Sequence, residues 1–212
     1  MSTAPQLHHL NARDNRSKRR SVQTLSTGIA ALDALLPAGG WPKYGLIVIN
    51  VQGVYTDPMD ALLPALTGLS REGRWLAMVT PPHYARVRIN TNPGMDTSSV
   101  LQINPHRGRS GLWTLESLMR AGHCRVVMAW PGCRTELMEM RLARAATLGR
   151  SLGILFRQGE PQACTSGCDV RLSVERNTGG KAVFLLDSDG RKVSGIDLPQ
   201  ESSGSRLSGR SG

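Results

Sequence analysis

From about residue 25 to residue 190, short apolar runs alternate with longer amphipathic segments, the pattern of strands joined by crossover helices in a largely parallel sheet. Residues 45–51 (GLIVINV) read as a strand buried on both faces, and residues 58–72 as a helix with Pro58 in its first turn, Leu62, Leu63, Leu66 and Leu69 on one side, and Gly73 at its end. Residues 74–80 (RWLAMVT) predict a second strand stopped by Pro81-Pro82, and residues 100–103 a short third. Between them, Arg86, Val87, Arg88, Ile89 and Asn90 are poor in helix formers, so residues 84–96 receive no element. Residues 110–121 predict a helix with Leu112, Leu115 and Met119 inward and Gly122 as its cap. Residues 124–130 (CRVVMAW) give a fourth strand, 134–148 a third strong helix and 152–156 a fifth strand. Residues 170–175 and 182–186 predict a terminal hairpin across Asn177-Thr178-Gly179-Gly180.

The ends lack this periodicity. Residues 1–24 and the Ser/Gly/Arg tract 200–212 read as disordered arms around one domain at 25–199, since neither buries enough apolar surface to offset its ordering entropy. Composition supports a globular centre, with 40% hydrophobic and 20% charged residues but only 4% aromatic, so Leu, Ile, Val, Met and Ala must build the core. The net charge of +10 is uneven: Arg13, Arg16, Lys18, Arg19 and Arg20 against Asp14 make the N-terminal arm basic, a candidate nucleic-acid contact and equally a solubilising tail. No uncharged run approaches the roughly 18 residues of a membrane span and no leader pattern opens the chain, so a soluble cytoplasmic protein is expected. Cys124, Cys133, Cys164 and Cys168 have neither zinc-knuckle spacing nor the look of a disulfide framework.

Residues 26–53 (STGIAALDALLPAGGWPKYGLIVINVQG) place a Thr-Gly and Leu-Asp lead-in, a Gly-Gly turn, a strand and a glycine loop before a helix, which looks like the approach to the phosphate loop of RecA-like ATPases. A working loop reads G-x-x-x-x-G-K-[ST]. Starting at Gly53, this chain has Pro58, Met59 and Asp60 where glycine, lysine and the hydroxyl residue belong, and Asp57 and Asp60 put carboxylates where a triphosphate would lie. The fourth strand ends in Trp130 and supplies no magnesium-side acid. Neither a cofactor, a metal nor ATP hydrolysis is expected. His83 and His106 lie in loops without a nucleophile pattern, and Glu136 and Glu139 read as an acidic first helical turn.

Binding surfaces concentrate energy in Trp, Tyr and Arg. Trp75 and Trp130 lie on strands and are assigned to the core. Trp113 falls off its helix's apolar stripe, and Tyr55 sits in the loop after the first strand. Arg134, Arg141 and Arg144 share one helix, with Arg141 inside an apolar arc of Leu137, Met138, Ala145 and Leu148. These five residues, Tyr55, Trp113, Arg134, Arg141 and Arg144, are the candidate partner contacts.

The order of elements, together with LLPALTGLSREGRWLAMVTPP at 62–82, LWTLESLMRAGHCRVVMAWP at 112–131 and LGRSLGILFR at 148–157, resembles the SulA/ImuA family. The resemblance implies a RecA-like α/β fold without ATPase machinery, a mostly parallel sheet with a C-terminal hairpin, and action by binding in the DNA-damage (SOS) response. ImuA-type members accompany ImuB and an error-prone polymerase, in association with RecA; SulA-type members bind FtsZ and block division. The long lead-in at 27–42 and the terminal hairpin favour the ImuA type, supporting translesion synthesis, with the SulA type as the alternative and a homodimer compatible with either.

Overall fold

A computed structural model of the chain describes residues 23–53, 55–105, 110–131, 136–163 and 167–198. The predicted arms at 1–24 and 200–212 lie almost wholly outside these residues. Elements in chain order are β1 (Thr24–Leu25), α1 (Ala30–Leu35), β2 (Trp41–Pro42), β3 (Gly45–Val51), α2 (Leu63–Leu69), β4 (Trp75–Val79), α3 (His83–Thr91), β5 (Val100–Ile103), α4 (Ser110–Ala121), β6 (Cys124–Ala129), α5 (Glu136–Leu148), β7 (Leu152–Gln158), β8 (Val170–Asn177), β9 (Gly180–Leu186) and β10 (Lys192–Leu198).

Eight strands form one sheet in the order β10-β9-β8-β3-β7-β6-β4-β5, with β1 and β2 in a small sheet of their own. The pairs β3–β7, β3–β8, β7–β6, β6–β4 and β4–β5 are parallel, whereas β9 runs antiparallel to both β8 and β10. The fold is therefore mixed α/β with a mostly parallel sheet. The central strands are the continuous apolar runs, because helices cover both faces and leave every residue of β3 and β6 buried. Side-chain alternation divides the core: Ile47, Ile49, Met78, Val126 and Ile154 face α2 and α3, while Leu46, Val48, Ala77, Val127 and Leu155 face α4 and α5. On the second face Met119 of α4 fills the space left by Gly153, where a Cβ would stand 2.8 Å from the Met119 Cε.

The lead-in is bound to this frame. Asp33 of α1 accepts from the Thr27 amide and the Ser26 hydroxyl, both at 2.8 Å, so the Thr-Gly and Leu-Asp pattern is a local cap holding the α1 turn. Thr24 pairs with Pro42 and Leu25 with Trp41, which is 1% exposed.

Several expectations need correction. The helix read over 58–72 is a 3₁₀ turn at Pro58–Ala61 followed by α2, and its four leucines are all buried. Residues 83–91, within and beside the unassigned stretch, form α3: Pro82 is its N-cap and Ala85 and Ile89, four apart, supply its only fully buried positions. The terminal hairpin is a three-stranded meander. Its last strand, β10, escapes a hydrophobic reading because only Leu198 is buried, and Gly195 makes room for the Phe184 ring, which would stand 2.4 Å from a Cβ. Trp75 opens β4 at the sheet's end and is exposed, whereas Trp130 is packed as expected, its ring stacked 4.4 Å from Phe156. Glu139 is no dipole partner. It is fully buried in an ion pair with Arg157, because the inward face of α5 is Met138, Glu139, Leu142, Ala145 and Ala146. The same rotation splits the apolar arc assigned around Arg141: Met138 and Ala145 face the core, while Leu137 and Leu148 are exposed.

Candidate interaction surface

In a parallel sheet with crossover helices, each helix starts at the C-terminal end of the strand before it, so strand ends, connecting loops and helix beginnings gather on one rim. That rim carries the loop after β3, Thr80 to Pro82 after β4, the beginning of α4 after β5, Trp130 after β6, the beginning of α5, and the end of β7.

The loop after β3 closes on itself. Gly53 turns at φ +86°, the Thr56 amide donates to the Gly53 carbonyl at 3.4 Å, and the Gln52 amide is spent on the Val174 carbonyl at 2.9 Å. Asp57 caps the 3₁₀ turn by accepting from the Met59 amide at 2.8 Å. Asp60 is ion-paired with Arg88 of α3 and Lys181 of β9, and Arg88 Nε also lies 3.4 Å from Asp57. The anionic character expected of this loop is thus offset by two cations far away in sequence. Burial raises the Asp57 carboxyl above its ordinary range, against the opposing Met59 amide and Lys181 charge. Beside the turn is a cavity of about 340 Å³ lined by Gln52, Gly53, Tyr55, Thr56, Glu175 and Arg176.

Of the candidate contacts, Tyr55 is 85% exposed on this loop and Trp113 is 68% exposed on the first turn of α4. On the first turns of α5, Leu137 and Met140 are exposed large apolar residues that sequence reasoning missed, having placed Leu137 inward. Arg141, one turn beyond Leu137, is ion-paired with Glu116 of α4, which also holds Arg120 at 2.6 Å; Arg144 is exposed one turn further. Trp113 precedes Glu116, and Leu137 precedes Arg141, by one turn, so both lie beside the ion pair that joins the two helices. Arg134 and the basic residues Arg13, Arg16, Lys18, Arg19 and Arg20 lie outside the described residues, as do His106, Cys133 and Cys164.

The remaining chemistry is muted. Trp130 donates its indole N–H to the Tyr84 hydroxyl at 3.3 Å, and burial raises that phenol despite the bond. Burial likewise raises the Cys124 thiol, leaving it in the unreactive form. Among the described residues no three His, Cys, Asp or Glu side chains gather to hold a metal ion, and no helix is long and apolar enough to cross a membrane.

An α/β frame that gathers exposed Tyr, Trp, Leu and Met on one rim, where Asp60 and Glu116 are tied into internal ion pairs, has the makings of a protein-binding domain. Comparison with known proteins specifies which. The family model described as cell division inhibitor SulA matches residues 48–153. The cell division inhibitor SulA of Edwardsiella piscicida is 30% identical over 120 residues, covering 56% of this chain and 71% of that protein. That of Serratia marcescens is 27% identical over 118 residues, covering 54% and 70%. The crystal structure of SulA from Pseudomonas aeruginosa is similar at a TM-score of 0.40 and 20% identity, over 53% of this chain and 98% of that one. The chain belongs to the SulA family of cell division inhibitors.

This overturns the ImuA-type expectation, and with it the assignment to translesion synthesis and the ImuB, polymerase and RecA partners. The features that favoured it, the lead-in at 27–42 and the C-terminal strands, lie outside the matched residues 48–153. They pack against the matched residues: Gly28 of the lead-in lies against Pro64 of α2, and Lys181 of β9 reaches Asp60.

Proposed function

We propose that this protein arrests cell division in the SOS response by binding FtsZ in the cytoplasm and blocking its polymerisation, without hydrolysing a nucleotide. The observation that carries the reading is the SulA match over residues 48–153, which includes the loop after β3, all of α4 and α5, and therefore the rim. Tyr55, Trp113, Leu137 and Met140 are its apolar anchors; Arg141 and Arg144 line its polar side. Exposed aromatic residues ringed by charge are where binding energy concentrates.

A RecA-like frame that has lost its phosphate site accounts for the loop. The central strand β3 feeds a glycine turn, as in that fold, but the amides of Gln52, Thr56 and Met59 are spent on internal acceptors instead of pointing at a ligand. Pro58 lacks an amide altogether.

The test is expression of the chain in a dividing bacterium, with cell length scored by microscopy. Filaments are expected, and Trp113→Glu should restore normal length at equal protein level. Normal division under the unaltered chain would reject the function; filaments from the Trp113→Glu chain would reject the surface.

A further inference from the structure

At the opposite rim, where the parallel strands begin, a cavity of about 410 Å³ is bordered by four cations, Lys43, Arg74, Arg125 and Arg150, and one acid, Glu72. Arg125 is almost completely buried and is matched: its Nε donates to Glu72 at 2.9 Å and its Nη1 to the Lys43 carbonyl at 2.7 Å. Arg74 has only neutral acceptors. Its Nη2 donates to the carbonyls of Gly122 and Cys124 at 2.7 and 2.8 Å, its Nη1 to that of Arg150 at 3.1 Å, and its buried Nε–H has no acceptor. Lys43 and Arg150 are exposed and enter no ion pair among the described residues. The four cations therefore outnumber the single acid, Glu72, by three around this cavity.

The backbone carries a second sign of a built site. Arg150 stands at φ +50°, a left-handed conformation that a bulky residue adopts at a cost and that glycine would take freely. That conformation presents its carbonyl to Arg74 and its side chain to the cavity wall. Strained positions persist where the surrounding structure has a use for them. Lys43 and the neighbouring Tyr44 directly follow the lead-in and lie outside the residues 48–153 matched by the SulA family model, so the cleft is completed by a part of the chain that this match does not reach.

We propose that this cleft binds a small phosphate-bearing molecule, with Lys43, Arg74 and Arg150 taking its phosphates and Tyr44 and Leu25 forming an apolar wall beside them. The volume suits a small ligand, the exposed Arg150 guanidinium can match phosphate oxygens in a pair while Arg74 adds its charge and one remaining Nη1–H, and a net of three positive charges favours a diphosphate over a single carboxylate. The site is separate from the rim on which the division function is placed, and the proposal does not depend on that function.

The test is isothermal titration of the full chain with pyrophosphate and with ADP, ionic strength held constant with potassium chloride. Saturable binding is expected, weakened at least tenfold in the Lys43→Ala/Arg150→Gly double variant and unchanged in Tyr55→Ala. Because glycine relieves the strain at position 150, the unliganded double variant should melt no lower than the unaltered chain, so lost binding cannot be put down to unfolding. Absence of saturable binding, equal binding by the double variant, loss of binding in Tyr55→Ala, or binding only of an oligonucleotide or an acidic peptide would each overturn the proposal.

Discussion

Removing the Glu139 carboxylate should destabilise this protein more than any surface change. Glu139 is 0% exposed on the inward face of α5, and its partner Arg157, at the end of β7, is 8% exposed. Glu139→Leu keeps the apolar packing of Met138 and Leu142 but leaves a guanidinium in the core without its counter-charge. Breaking a buried pair from one side costs about 3–5 kcal/mol. Against a total stability of about 5–15 kcal/mol this is a large fraction. For a domain of this size, at about 2–4 °C per kcal/mol, the melting temperature should fall by roughly 10 °C. The double change Glu139→Leu/Arg157→Met removes both charges and should return to within about 1 kcal/mol of the unaltered chain, since well-packed apolar replacements of a buried pair are often neutral. Urea unfolding followed by tryptophan fluorescence measures the cycle, with Trp130 reporting directly because it stacks on Phe156, the residue before Arg157. A single-change cost below about 1 kcal/mol, or a double variant no more stable than the worse single, would refute a buried, mutually compensating pair.

Three further outcomes are expected. Gly153→Ala puts a Cβ 2.8 Å from the Met119 Cε and 2.9 Å from the Leu46 Cδ1, so it should cost about 1–3 kcal/mol in urea unfolding through overpacking. Arg141→Glu breaks the link to Glu116 at a site whose side chains are 48% and 14% exposed; the stability loss should stay near 1 kcal/mol while FtsZ binding falls in a pull-down. At Asp57 the folded carboxyl is raised above its unfolded value, so protonation favours the folded state, and that contribution is lost as pH rises through the raised value. Asp57→Asn, which keeps an oxygen for the Met59 amide, should therefore gain melting temperature relative to the unaltered chain at pH 7, and the gain should shrink as pH falls toward about 4; a gain that grows on acidification would show the sign to be wrong.

The sheet was legible where burial is two-sided. A run such as GLIVINV at Gly45–Val51 has no polar face because β3 lies between β7 and β8 under helices on both sides. Legibility fails where one or two contacts hold an element. The α3 helix turns only Ala85 and Ile89 inward and carries β-branched Val87 and Ile89, so its propensity is weak; the Pro81-Pro82 start was the signal available. The β10 strand is held as an edge by backbone pairing to β9 and by Lys192, which bonds Glu175 and lies over the Phe184 ring, neither of which leaves a hydrophobic period. Charge partners are harder still. Asp60 and Lys181 are 121 residues apart, so a loop that is acidic in sequence is neutral in space. Glu139 could have been suspected, because it falls three residues before Leu142 on the inward stripe, yet nothing local names Arg157. Tyr55 was legible as a surface residue because it falls in a loop, and Trp113 because it departs from the apolar stripe of its helix, whereas Leu137 and Met140 were hidden by a helix rotation that only the packing against β3 and β7 fixes.

Sedimentation of purified FtsZ in the presence of GTP, with increasing amounts of this chain, tests the central claim most directly. Polymer in the pellet should fall as the chain approaches equimolar amounts, and Trp113→Glu, folded by circular dichroism, should leave the pellet intact. Undiminished FtsZ polymer at a several-fold excess of the unaltered chain would contradict that claim.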